Sequence, residues 1–344
     1  MKRIGIVGAG SIARTHADRI KKMPNVELAG YYDIFPEAAQ RSVEQYGGQV
    51  YPSLAALLGD VDYVDICTTA DAHKEPVLAA LEAGVPAVVE KPLARHLADC
   101  YEIVEAQART GTPLFVAQVV RFFPQFAKAK EKLDSGAIGA PGVIRTVRGG
   151  SAPGGGGWGS ASSARTYYND FDKSGGVILD VSIHDIDYQR WCFGEVERVF
   201  ARGLRFAGKN PKDHALITLR FENGAIGHIE GSWAYPPGLW RTRIEIAGTT
   251  GLIEWDSLDQ QPVAWHIQPD ADSPATSGSA SPLADADDPY YQELAHFMDA
   301  VENDKPLGVT AYDGLMAVKI CLAAIESERR GEAVRIRDFE EVMG

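Results

Sequence analysis

The chain reads as an α/β Rossmann domain followed by an α+β domain, and three observations predict this. An apolar strand runs straight into a glycine turn near residue 8. Strands and helical stretches then alternate as far as Val89. Beyond residue 120 the pattern becomes strand-like polar/apolar alternation, with helices returning from Tyr290. At 344 residues the chain is long enough to bury two cores. The break is expected between Thr110 and Val120, giving 1–118 for the dinucleotide-binding domain and 119–344 for the substrate domain. The terminal helices are expected to pack back toward the first domain.

The first element is the strand Ile4 to Val7, followed by Gly8, Gly10 and Ala13 and an amphipathic segment. Gly8 permits the tight turn and Gly10 lets backbone approach a pyrophosphate. Ser11 and Ile12 open the helix whose N-terminus faces that charge, and the small Ala13 allows close packing of helix on sheet. A second apolar run, Val26 to Tyr32, ends in Asp33. There a carboxylate either accepts from the hydroxyls of an adenosine ribose or simply starts a turn. Because it would repel a 2′-phosphate, and no Arg or Lys follows directly, NAD is expected over NADP; Arg41 lies close enough to temper the preference.

Helix Glu37 to Tyr46, a short strand near Val50, helix Ser53 to Leu58, strand Tyr63 to Thr68, helix Lys74 to Ala83 and strand Val85 to Val89 complete the alternation, which predicts a mostly parallel sheet covered on both faces. Ligands to such sheets bind beyond the carboxyl ends of the strands, where Gly8 to Ile12, Thr68-Thr69 to His73, and Glu90-Lys91-Pro92 all fall. His73 has two readings, a helix-start role or contact with the nicotinamide end of the cofactor. Lys91 follows a fully apolar strand, a place expected at a cleft. Its ammonium either stabilises an alkoxide or pairs with Glu90 on the surface. Pro92 limits Lys91 to extended backbone.

In GGVILDVSIHDIDYQRW, Asp180 and His184 are four residues apart in a helix-like run, which puts them on one face, one turn apart. A carboxylate so placed orients and tunes an imidazole that moves a proton. Asp187 lies on nearly the same face. Before this helix, GGSAPGGGGWG and the polar, aromatic stretch after it read either as a lid or as a surface loop. Trp158, Arg165, Tyr167, Tyr168 and Asn169 offer a stacking face and hydroxyl ligands for a polyol. Arg121 reads either as a cleft residue or as half of a buried salt bridge. Segment 268–289, acidic and rich in Ser, Pro and Ala, reads as a long surface excursion.

Composition excludes several classes. A net charge of −13, with no basic cluster, argues against a nucleic-acid partner. No run is apolar enough to span a bilayer and none has the form of a secretory signal, so a cytoplasmic protein without membrane partners is expected. Cys67, Cys100, Cys192 and Cys321 lack metal-like spacing and read as core thiols. The eight histidines show no clustered ligand pattern, so no metal is expected.

VGAGSIA, DAHKEPVLAALEAGVPAVVEKPLA and SGGVILDVSIHDIDYQRWCFG together resemble the Gfo/Idh/MocA family of nicotinamide-dependent sugar and inositol oxidoreductases. RFFPQFAKAKEKLDSGAIG and AYDGLMAVKICLAAIESERRGEAV extend the resemblance over nearly the whole chain. It implies that the second domain carries a large, open, mostly antiparallel sheet, one wall of a substrate cleft and commonly an oligomer face. It also implies Lys91, Asp180 and His184 as the catalytic trio. The implied reaction is hydride transfer between nicotinamide and a secondary-alcohol carbon of a sugar, anhydro-sugar or inositol. A neutral polyhydroxylated ring suits a cleft of carboxylates, amides and aromatic rings better than an anion does. Two other readings stay open: glycoside cleavage using bound NAD transiently, and a non-catalytic nicotinamide-binding sensor. An exposed sheet face suggests a homodimer or homotetramer.

Overall fold

The computed structural model describes residues 1–153, 167–205, 213–259 and 288–341. The readings of Trp158 and Arg165, most of the glycine-rich loop and residues 268–287 of the acidic excursion lie outside them. The chain divides into two compact units, Met1–Phe123 with Leu283–Val318, and Pro124–Pro282 with Lys319–Gly344.

The first unit is built on six parallel strands: β1 (Lys2–Val7), β2 (Val26–Tyr32), β3 (Gln49–Val50), β4 (Tyr63–Ile66), β5 (Ala87–Glu90) and β6 (Leu114–Ala117). They are ordered β3-β2-β1-β4-β5-β6, the doubly wound order of a dinucleotide-binding fold. Helices α1 (Ser11–Ile20), α2 (Pro36–Tyr46), α3 (Leu54–Leu58), α4 (Lys74–Glu82) and α5 (Leu97–Thr110) connect them. Strands covered on both faces need continuous apolar runs, and Ile4, Ile6, Val64, Ile66, Val88, Val89, Phe115 and Val116 are all fully buried.

The first unit extends past the expected boundary at 118/119. Residues Val119–Phe122 form a 3₁₀ turn whose Phe122 ring meets His296, and Arg121 donates to the Gly308 carbonyl at 2.9 Å. Both partners belong to the returning segment, in which helix Pro289–Glu302 buries Leu294 and Phe297. The division falls inside the next helix, Ala311–Arg330, so the terminal region is shared between the units.

Among its described residues the second unit carries seven strands: β7 (Pro141–Gly149), β8 (Val196–Leu204), β9 (His214–Phe221), β10 (Ile226–Ser232), β11 (Arg241–Gly248), β12 (Leu252–Asp256) and β13 (Val334–Arg335). They are ordered β12-β11-β7-β10-β9-β8-β13. Only β7 and β10 run parallel, so the sheet is mostly antiparallel as expected. In the β9–β10 hairpin Gly224 takes φ 91°, and the Asn223 carboxamide accepts from the Ala225 N–H at 2.9 Å. Period-2 burial along β9 hides Ala215, Ile217, Leu219 and Phe221 and leaves Leu216 53% exposed on the other face.

Candidate active site

The glycine turn after β1 has the features of a phosphate cradle. Gly8 takes φ 90°, and a Cβ there would stand 2.9 Å from the Cys67 carbonyl and the Thr68 nitrogen, so the turn passes too close to the end of β4 for a side chain. At Gly10 a Cβ would meet nothing within 4 Å. Gly10 and Ser11 are exposed, Ile12 is half-buried, and α1 has neither a side-chain cap nor an acidic residue in its first turn. An uncapped first turn leaves N–H donors and the positive end of the helix dipole for an anion. Ala13 is fully buried, which permits the close packing read from sequence.

Asp33 ends β2 and does more than the sequence suggested. One carboxylate oxygen accepts from the Ala9 N–H and the other from the Phe35 N–H, both at 2.8 Å. The carboxylate expected to face a ribose therefore ties the glycine turn to the loop after β2. Thr69 is exposed beyond β4. The Thr68 hydroxyl is buried without a hydrogen-bond partner among the described residues, an orphaned polar atom at the strand end. These features fit a dinucleotide.

Lys91 leaves the end of β5 half-buried, and the Lys91–Pro92 bond is cis. Glu90 is not at the surface. The Glu90 carboxylate turns inward, with Oε2 accepting from the Lys91 backbone N–H at 3.0 Å and Oε1 lying 3.2 Å from His16 Nε2. Burial alone would push the Glu90 carboxyl up. The His16 contact and charge, with Lys91 adding to them, reverse this and hold it below the usual range. His73 is fully buried, its Nδ1 2.8 Å from the Pro92 carbonyl and its Nε2 3.1 Å from the Thr68 carbonyl. Burial lowers its pKa. These two contacts favour the structural reading: His73 clamps the 68–73 turn to the segment after Lys91.

In the second unit Asp180 sits in a π turn, Ile178–Ser182, rather than in the α-helix expected there, and His184 is the second residue of the α-helix that follows, Ile183–Phe193. Single π turns inside helices recur at functional sites because they displace side chains from the regular register. Asp180 is 8% exposed and His184 half-buried. Two neighbours fix this helix on the sheet. Asp185 binds Arg148 of β7 through Nε at 2.8 Å and Nη2 at 3.3 Å, and the Gln189 amide donates to Thr146 Oγ1 and the His228 carbonyl, both at 3.0 Å. Glycines make room: a Cβ on Gly231 would lie 2.1 Å from Ser182 Oγ, and one on Gly227 2.2 Å from Gln189 Oε1.

Other expected ligands have other settings. Arg121 is buried inside the first unit, donating to Gly308 with Asp313 at 3.6 Å, which is the salt-bridge reading. Asp187 is 1% exposed. The Tyr167 hydroxyl donates to the Lys173 carbonyl at 3.3 Å and Asn169 is exposed. The sequence reading missed one constellation altogether. His16, Asp65 and Cys67 meet in the first unit, all buried and close enough for one ion to touch all three. The signal was present: His16 occupies the buried face of α1 with Ala13, Ala17 and Ile20, and Asp65 interrupts the apolar strand Tyr63–Ile66.

A doubly wound sheet with an open glycine turn, a strand-end carboxylate and a lysine beyond its carboxyl edge defines an oxidoreductase domain that binds NAD. Residues 2–118 match the oxidoreductase family with an NAD-binding Rossmann fold, and residues 126–254 match the GFO/IDH/MocA C-terminal domain. The chain belongs to the Gfo/Idh/MocA family. It is 31% identical to myo-inositol 2-dehydrogenase of Thermotoga maritima over 99% of this chain and 100% of that one, and 31% identical to inositol 2-dehydrogenase of Acidothermus cellulolyticus over 96% and 94%. Among solved structures, a probable dehydrogenase from Thermotoga maritima superposes with a TM-score of 0.82 at 30% identity, covering 98% of this chain and 99% of that one.

Proposed function

We propose that this oxidoreductase moves a hydride between NAD and a secondary-alcohol carbon of a polyhydroxylated ring, an inositol or a related sugar, with Lys91, Asp180 and His184 as its catalytic residues. One observation carries the reading. The chain keeps the Glu90-Lys91-Pro92 strand end and the Asp180/His184 pair while matching inositol dehydrogenases from end to end.

The bound cofactor supplies a two-electron acceptor at nicotinamide. It would be held by the Gly8–Ile12 turn, Asp33 and the Thr68-Thr69 end of β4. In the oxidising direction His184 accepts the hydroxyl proton, because a deprotonated oxygen makes its carbon a better hydride donor and an imidazole holds a proton near neutral pH. Asp180 orients that ring and raises its basicity. The Lys91 ammonium stabilises charge developing on the same oxygen. In the reducing direction each group runs in reverse. The second unit's sheet leaves Leu216 and Leu252 each 53% exposed, which supports a homodimer or homotetramer. Among the described residues no helix is long and apolar enough to cross a membrane, and the working location is taken as the cytoplasm.

The test is absorbance at 340 nm with purified protein, NAD or NADP, and a panel of inositols, aldoses and anhydro-sugars. Reduction of NAD by a ring polyol is expected. His184→Ala is expected to lower turnover by about 10²- to 10⁴-fold while NAD still binds. Near-normal turnover in that variant removes His184 from the reaction. Silence across the panel with NAD retained moves the assignment to glycoside cleavage or sensing.

A further inference from the structure

The first unit buries a cluster of ionisable side chains that the proposed reaction does not use. His16 of α1 stands between two carboxylates, its Nδ1 2.8 Å from Asp65 Oδ2 of β4 and its Nε2 3.2 Å from Glu90 Oε1 at the end of β5. Cys67 Sγ lies 3.4 Å from the other Asp65 oxygen and 3.6 Å from His16 Nδ1. From helix Pro289–Glu302, Tyr290 places its ring 6.0 Å from the imidazole, and Glu293 is fully buried with neither carboxylate oxygen hydrogen-bonded within the described residues.

As an imidazolium the ring hydrogen-bonds Asp65 through Nδ1 and holds Glu90 by ion-pair contact, its Nε2 3.2 Å from Oε1 but without hydrogen-bond geometry. The remaining groups agree with that state. Burial is the largest single influence on His16 and opposes its charge, but Asp65 and Cys67 together outweigh it and the pKa is raised well above the ordinary value. Burial pushes the Cys67 thiol up, so it stays a neutral S–H donor to Asp65. Burial, then the charges of Glu90 and Asp65, push the Glu293 carboxyl well above its usual range and keep it neutral despite the charge on His16. The cation that two buried carboxylates require is thus already present. A divalent metal at His16, Asp65 and Cys67 would have to displace it.

Glu90 connects this cluster to the reaction. One carboxylate oxygen faces His16 and the other holds the Lys91 backbone N–H, so the imidazole fixes the carboxylate that fixes the point where the Lys91 side chain departs. On the far side His73 holds the Pro92 carbonyl. We propose that His16 is a positioning residue for Lys91: by bridging Asp65 and Glu90 it locks the 90–91 backbone and ties α1, the helix that opens at the glycine turn, to the strand end that carries the lysine. This rests on the role given to Lys91 above.

Two variants separate the two nitrogens. In His16→Asn the amide reaches Asp65 in place of Nδ1 and leaves Glu90 unheld. In His16→Gln it reaches Glu90 in place of Nε2 and gives up Asp65. Three readouts are needed on the full chain: steady-state turnover with NAD and the best polyol of the panel, the NAD dissociation constant from protein fluorescence, and the ¹³C resonance of reductively methylated Lys91, assigned by its loss in Lys91→Arg. His16→Asn is expected to lower kcat on the order of 10²-fold, as misplacing a catalytic group by about an ångström does, to shift the Lys91 resonance, and to leave NAD binding unchanged. His16→Gln is expected to keep the wild-type resonance and most of kcat.

Equal losses in both variants, a loss confined to NAD affinity, or an unmoved Lys91 resonance in His16→Asn would overturn the proposal. So would stoichiometric zinc in the purified protein that His16→Asn removes. If His16→Asn does not fold, Glu90→Gln cuts the same link from the other side and the same shift is expected. If the wild type turns over no polyol, the dehydrogenase reading fails on its own, and the Lys91 resonance still decides the role of His16.

Discussion

Glu293 is a carboxylic acid buried for its proton. Its folded pKa lies well above the ordinary 4.5, so between 4.5 and the folded value the native state binds a proton that the unfolded chain has released. Stability must therefore fall as pH rises through that window, by up to about 1.4 kcal/mol per pH unit. Glu293→Gln keeps the shape and removes the titration. Relative to wild type it is expected to gain nothing near pH 4 and progressively more above pH 5, read from urea midpoints across that range. A difference that does not change with pH would remove the buried-acid assignment. The wider lesson concerns which residues speak from sequence. Asp33 and Lys91 were legible because each ends an apolar strand, and Asp180 and His184 because their spacing fits one helical face. His16, Asp65 and Glu293 were visible only as polar letters at buried positions. Nothing in the one-dimensional pattern says that α1, β4, β5 and a helix more than 190 residues further on bring them to one point; the sheet order does that.

At the scale of elements, the helix that carries His184 depends on a bare stretch of β10. Sequence periodicity could not distinguish the π turn from an α turn, since residues four apart share a face in both. The local cause lies in the packing partner instead. Gly231 lets the π turn settle so closely on β10 that an added Cβ would overlap the Oγ of the fully buried Ser182. Gly231→Ala is therefore expected to cost about 1–3 kcal/mol, the range for overpacking a filled interior, and to lower turnover by displacing Asp180. Ser182→Ala should relieve most of this, because the next atom, Ser182 Cβ, stands at an ordinary 3.4 Å. A double-mutant cycle on thermal midpoint and kcat tests the coupling. Additive effects would mean that the close contact is not what seats the turn.

The whole molecule completes its dinucleotide-binding unit late. Residues 1–123 supply all six strands, yet the unit also takes in 283–318, so it is finished only after the chain has traversed most of the second unit. The return supplies core, not decoration. Leu294 and Phe297 are fully buried, the Phe297 ring lies 6.0 Å from Phe115 and 5.7 Å from Tyr63, and Arg19 of α1 pairs with Asp288 at 2.7 Å. Without that segment a row of apolar and aromatic surface beside β4 and β6 would meet water, and a unit of this size has little stability to spare. A fragment of residues 1–123 is accordingly expected to show helical circular dichroism without a cooperative thermal transition, and to bind NAD weakly or not at all. Adding a peptide of residues 288–318 in trans is expected to restore both the transition and NAD binding. If the fragment alone melts cooperatively and binds NAD as tightly as the full chain, the returning helix only covers an already complete fold, and the division of the chain lies close to residue 118 after all.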